Sequence, residues 1–152
     1  MTTGKATATI GGVPHTYDLT VPSGCAESAS EECLVFIHGW LLSRAYWQPL
    51  VSGLSDRHRC LTYDLRGFGD SAQGLDACSS SAYSLAAYAQ DLGTLLDQMN
   101  LDQVWLLGHS LGGSIALWAA YLRPDRVKGV LCINAGGGIY IPREFEKFRT
   151  AG

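Results

Sequence analysis

Residues 104–113 read Val104-Trp105-Leu106-Leu107-Gly108-His109-Ser110-Leu111-Gly112-Gly113. The first four form a short apolar run, the pattern of a strand covered on both faces. Beyond Ser110, the apolar residues Ile115, Trp118, Ala119 and Leu122 fall at helical spacing, and Pro124 closes the pattern. Ser110 therefore stands where a strand turns sharply into a helix. Such a turn strains the serine backbone and lifts its hydroxyl above the sheet. It needs small residues two before and two after, because the strand and helix backbones nearly touch there. Gly108 and Gly112 meet that need, and Gly113 extends it. A bare G-x-S-x-G recurs by chance. A strand before it and a helix after it give it weight and point to nucleophilic acyl transfer.

The same alternation runs through the rest of the chain. Ala6–Ile10 and His15–Val21 flank Gly11-Gly12 and read as a β-hairpin. Cys33–Ile37, Arg59–Tyr63 and Val127–Ile133 are further apolar strands. Between them, Ser43–Leu54 carries Tyr46, Trp47, Leu50 and Leu54 at helical spacing, with Pro49 tolerable only in the first turn. Leu85, Tyr88, Leu92, Leu95, Leu96 and Met99 share one helical face behind Ser84, a candidate N-cap. Residues 65–82 read as a Gly- and Ser-rich loop. Strands alternating with helices predict an α/β fold: a mostly parallel sheet of about six strands behind an N-terminal antiparallel hairpin, with flanking helices. Residues 1–140 form the core in this reading.

Composition narrows the classes of function. The 152 residues are 47% hydrophobic and 16% charged, enough for a core, and the net charge of −3 calls for neither nucleic acid nor an anionic membrane. Five cysteines without regular spacing or a C-x-x-C predict neither a disulfide framework nor a thiol metal site. No metal and no cofactor are expected. The N-terminus lacks a basic stretch followed by a long apolar run, so a cytoplasmic protein without a membrane span is expected.

Two further motifs follow strands. His38-Gly39-Trp40 ends the first apolar strand. A tetrahedral intermediate needs preorganised N–H donors for its oxyanion. The Leu111 N–H, at a helix N-terminus, is one candidate and the Trp40 N–H the other, with Gly39 permitting close approach. Asp64-Leu65-Arg66-Gly67-Phe68-Gly69-Asp70-Ser71 follows the next strand. It reads as a tight structural loop in which Asp64 and Arg66 bond backbone or each other, with no catalytic part for Asp64.

In this order, HGW at 38–40, DLRGFGDS at 64–71 and GHSLGG at 108–113 resemble the α/β-hydrolase superfamily, over about residues 5–138. HGWLLSRAYW is also similar to aryl esterases and the cofactor-free haloperoxidase and perhydrolase group. The resemblance implies Ser110 as nucleophile, Trp40 and Leu111 as oxyanion donors, and a small acyl substrate, a carboxylic ester by default. His38, Gly39, Gly108, His109 and Gly112 complete the motifs. Perhydrolysis and carbon–carbon hydrolysis are other serine-based options. A serine at the elbow disfavours dehalogenases and epoxide hydrolases, which carry aspartate there.

The family also implies an acid after a later strand and a histidine after the last. Neither is found. His15 lies in the hairpin, His38 in the oxyanion loop, His109 inside the elbow, and His58 before a strand at the far end of the sheet. The position after Ile133 is Asn134, and an amide cannot stabilise an imidazolium as a carboxylate does. The chain thus resembles the first half of such an enzyme, with residues 141–152 the start of a cap segment cut short. A truncated product and one half of a split enzyme both fit. Val127–Ile133 would be left as an exposed edge, open to a complementary C-terminal half or to self-association. A non-catalytic binding chain is the alternative from another class.

Overall fold

The computed structural model describes residues 4–22, 32–72 and 83–135. Its strands are β1 (Gly4–Ile10), β2 (Val13–Thr20), β3 (Cys33–Ile37), β4 (Arg59–Tyr63), β5 (Val104–His109) and β6 (Val127–Ile133). Its helices are α1 (Gln48–Leu54), α2 (Leu85–Gln98) and α3 (Leu111–Leu122). The strands form one sheet in the order β1-β2-β4-β3-β5-β6. β1 and β2 are antiparallel and β2 meets β4 antiparallel, while β4, β3, β5 and β6 run parallel. The expected α/β class, hairpin and six strands are all present.

Alternation along the central strands divides the core. Val35, Ile37, Leu61, Tyr63, Val104 and Leu106 pack with α2 and α3 on one face. Phe36, Cys60 and Leu107 pack with Trp47 and Val51 of the α1 region on the other. The polypeptide leaves β3 for β4 through α1, then passes back over β3 to β5 through α2. The sheet thus reverses its direction of winding between β3 and β5. The carboxyl ends of strands at such a reversal open a crevice, where ligands of α/β sheets bind. His38-Gly39-Trp40 leaves one of those ends and Ser110 the other.

Local chemistry sets the element ends. Ser84 caps α2, its Oγ accepting from the Ala87 N–H at 3.1 Å. The segment expected as one helix over 43–54 is divided, with a 3-10 turn at Arg44–Trp47 before α1. Pro49 is the reason. It has no N–H to donate, and its ring would strike the carbonyl four residues back, so the α-helix cannot extend further toward the N-terminus.

β6 lies at the sheet edge, half covered, with Leu131 and Cys132 exposed. Leu117, Trp118, Tyr121 and Leu122 are exposed on the outer side of α3. No helix among the described residues is long and apolar enough to cross a membrane, and no group of His, Cys, Asp or Glu among them is arranged to hold a metal. Cys33, Cys60 and Cys132 are free thiols. Burial pushes Cys33 up to about 12 and Cys60 up to about 11, so both are unreactive small hydrophobes. Cys25, Cys78 and the expected boundary at residue 140 lie outside the described residues.

Candidate active site

Ser110 joins β5 to α3 with φ 53° and ψ −119°, a conformation that an L-residue adopts only under strain. Its N–H donates to the Ile133 carbonyl at 3.1 Å, and its own carbonyl accepts from the Gly113 N–H at 3.0 Å. The side chain is exposed and makes no capping bond to the helix, so Oγ is open to solvent. The glycines around it have no room for a side chain. A Cβ on Gly108 would overlap the Gly112 carbonyl and lie 2.5 Å from the Gly113 nitrogen. One on Gly112 would overlap the Ile37 carbonyl and lie 2.7 Å from that of His38. The elbow therefore seats α3 directly against the end of β3.

That contact brings the His-Gly loop to the serine. A Cβ on Gly39 would lie 3.2 Å from the Ser110 Cβ and 3.0 Å from the His109 Nδ1. Leu111 is the first residue of α3, where the helix dipole is positive. Among the described residues, neither its N–H nor that of Trp40 has a backbone acceptor. An oxyanion would need two such preorganised donors directed at one point beside the serine hydroxyl.

Aromatic contacts involve both motifs. Trp40 is 61% exposed and meets Phe68 edge-on, with centroids 5.3 Å apart. The His109 ring packs against Tyr46 at 4.9 Å. The other histidines are engaged elsewhere or distant. His15 is buried, its Nδ1 3.1 Å from the Val13 carbonyl and its Nε2 3.2 Å from Asp91. His38 is bonded to Gly39 and Leu65. His58 precedes β4, at the opposite end of the sheet from Ser110.

In the loop after β4, Asp64 bonds backbone, one of the two expected arrangements, and does not pair with Arg66. Asp64 and Arg66 turn to different partners. The buried Asp64 carboxylate accepts the backbone N–H groups of Arg44 at 2.6 Å and Asp70 at 2.9 Å, together with the Arg44 guanidinium. Arg66 instead forks onto Asp91 at 2.6 and 2.9 Å. Arg44 also reaches Asp18 and Asp70, and this ion cluster lines a cleft of about 320 Å³ that does not include Ser110. The sequence reading missed Arg44 and Asp91. For Asp91 a signal existed: a carboxylate on the apolar face of α2 between Tyr88 and Leu95 must have a buried partner. Asp64→Ala would leave the Arg44 and Asp70 N–H groups without their acceptor, while the Arg44 guanidinium keeps Asp18 and Asp70. It is expected to cost about 3 kcal/mol of stability, read from urea unfolding.

The His38 imidazole is held below its ordinary value of 6.5, chiefly by burial, with the Gly39 bond and the Asp64 charge opposing. The unfolded chain therefore binds this proton more readily than the folded one. Stability from this group is complete above 6.5 and is lost as pH falls toward the folded value. The urea midpoint is expected to drop between about pH 7.5 and pH 5.5, and His38→Gln should flatten that part of the profile.

A profile of the alpha/beta hydrolase fold matches residues 32–151. The chain belongs to the alpha/beta hydrolase fold family. It is 39% identical over 100 residues to the pimeloyl-[acyl-carrier protein] methyl ester esterase of Aliivibrio salmonicida, matching 66% of this chain and 34% of the esterase. It is 38% identical over 111 residues to epoxide hydrolase 2 of Siraitia grosvenorii, matching 72% of this chain and 34% of that protein. The crystal structure of a hydrolase from Pseudomonas aeruginosa superposes with a TM-score of 0.78 at 23% identity, over 97% of this chain and 52% of that one. This alpha/beta hydrolase chain thus spans about a third of the length of these two sequence relatives, which are hydrolases.

Proposed function

We propose that this chain is the nucleophile-bearing part of a serine hydrolase that cleaves a carboxylic ester through an acyl-enzyme. The observation that carries the reading is the exposed Ser110 in its strained turn, with Gly39 packed against it. Ser110 Oγ attacks the ester carbonyl, and its proton passes to a histidine base. The Leu111 and Trp40 N–H groups take the negative charge of the tetrahedral oxyanion, and the alcohol departs. Water then releases the acid. The relatives include an esterase and an epoxide hydrolase, and a serine at the elbow in place of a carboxylate favours acyl transfer for this chain. The exposed Trp40, edge-on to Phe68, and the Tyr46–His109 ring pair next to Ser110 suit an apolar or aromatic acyl group. Perhydrolysis and carbon–carbon hydrolysis use the same groups.

In this reading the acid and the base belong to residues outside this sequence, and the β6 edge with the outer side of α3 receives the portion that carries them. A reducing cytoplasm suits the free thiols. A non-catalytic binding chain is the second reading. It is favoured by the engagement of His15 and His38 away from Ser110.

The test is hydrolysis of a p-nitrophenyl ester by the chain alone and by the chain combined with the C-terminal portion of the related esterase. The chain alone is expected to show little or no turnover, and the combination is expected to hydrolyse the ester. Ordinary enzymatic turnover by the chain alone, dependent on Ser110, would contradict the assignment of the base. No turnover from a folded combination would favour the binding chain.

A further inference from the structure

His38 follows β3 and is fully buried. Its Nε2 accepts the Leu65 N–H at 3.0 Å. A ring nitrogen that accepts carries no proton, so the proton of the neutral ring is on Nδ1. That nitrogen lies 2.8 Å from the Gly39 carbonyl oxygen and donates to it. The same oxygen accepts from the Leu42 N–H at 3.3 Å, so both its lone pairs are engaged. The Gly39 carbonyl and the Trp40 N–H are the two ends of one peptide unit. With no cis bond in the described chain, they point in opposite directions across a rigid plane. Whatever holds the carbonyl therefore aims the N–H.

We infer that His38 is a positioning residue. Its Nδ1–H grips the Gly39 carbonyl while its Nε2 is held by Leu65, and this sets the Gly39–Trp40 peptide so that the Trp40 N–H faces the oxyanion site beside Ser110. The inference rests on Trp40 as an oxyanion donor, the reading given above. It also gives the D-x-R-G loop a task. Asp64, tied to Arg44 and Asp70, fixes the strand end from which the Leu65 N–H reaches His38. A continuous set of bonds thus runs from the Arg44 ion cluster to the Trp40 peptide. A protonated His38 would turn an N–H against the Leu65 N–H, so only the neutral ring with its proton on Nδ1 keeps both bonds.

Two substitutions separate the two ring nitrogens. In His38→Asn the amide nitrogen stands near the position of Nδ1 and keeps the bond to Gly39, but the acceptor for Leu65 is lost. In His38→Gln the side-chain oxygen stands near Nε2 and keeps the bond to Leu65, but the donor to Gly39 is lost. The test is NMR of the 15N-labelled chain. The parent should show a coupling across the hydrogen bond between the Leu65 amide nitrogen and His38 Nε2, and a proton on Nδ1. The Trp40 amide signal should stay near its parental position in His38→Asn and shift or split in His38→Gln. The Leu65 amide should do the reverse. Slow acylation of the chain by p-nitrophenyl acetate should fall about tenfold or more in His38→Gln and by less in His38→Asn.

A proton on Nε2 in the parent, an unmoved Trp40 amide in His38→Gln, or equal effects of both variants would overturn the inference. The parental tautomer decides it even where a variant fails to fold. Acylation independent of Ser110, with the NMR pattern as expected, would defeat the nucleophile reading and leave the peptide positioning intact.

Discussion

Gly112→Ala is expected to remove most of the stability of this fold. The new methyl would overlap the Ile37 carbonyl and stand 2.7 Å from the His38 carbonyl oxygen. Both belong to the backbone at the end of β3, in the middle of the sheet, and neither can give way as the tip of a flexible side chain can. Relief requires α3 to move off the sheet, which would open the core beneath Ile115, Ala116 and Ala119. The expected loss exceeds about 4 kcal/mol, a large share of the roughly 5–15 kcal/mol that holds a domain together. Gly53→Ala is the control. Nothing lies within 4 Å of its Cβ position, and it sits inside α1, so it should stabilise by roughly 0.5–1 kcal/mol. Urea unfolding of the two variants beside the parent checks both. A Gly112→Ala chain as stable as the parent would mean that α3 does not approach β3 as described.

The second large effect concerns activity. In the chain combined with the portion carrying the acid and histidine, Ser110→Ala is expected to lower kcat by about 10⁴-fold or more, leaving what the oxyanion donors and binding supply. Ser110→Gly should abolish activity equally. Because glycine accepts φ 53° without penalty, it should also raise stability by about 1 kcal/mol. Loss of activity with gain of stability marks a turn whose strain serves the nucleophile. Loss of both would assign Ser110 a structural part.

Much of this was legible in the sequence because the signals were local. Four apolar runs separated by helical patterns became β3, β4, β5 and β6, and β3, β4 and β6 have the expected ends. Gly108, Ser110 and Gly112 marked the elbow through sterics alone. Less legible were contacts between residues far apart in the chain. Arg44 reaching Asp64 and Arg66 reaching Asp91 depend on how loops fold across the ends of the sheet, and no periodicity encodes that. The division of the segment over 43–54 was hidden for another reason. Pro49 satisfied the rule for a first helical turn, but Tyr46 and Trp47 kept helical spacing in the 3-10 turn ahead of it. His38 sat in a recognisable motif, yet its hydrogen bonds emerge only once β3 and β4 lie side by side.

The most direct measurement is the site of acylation. The chain is exposed to p-nitrophenyl acetate, digested, and its peptides mapped by mass spectrometry. On the proposal that the base lies outside this sequence, the acyl group should accumulate slowly on one residue, Ser110, and Ser110→Ala should leave no labelled serine. Acetyl groups scattered over lysines and exposed hydroxyls, with no preference for Ser110 and no change in Ser110→Ala, would contradict the assignment of Ser110 as the nucleophile.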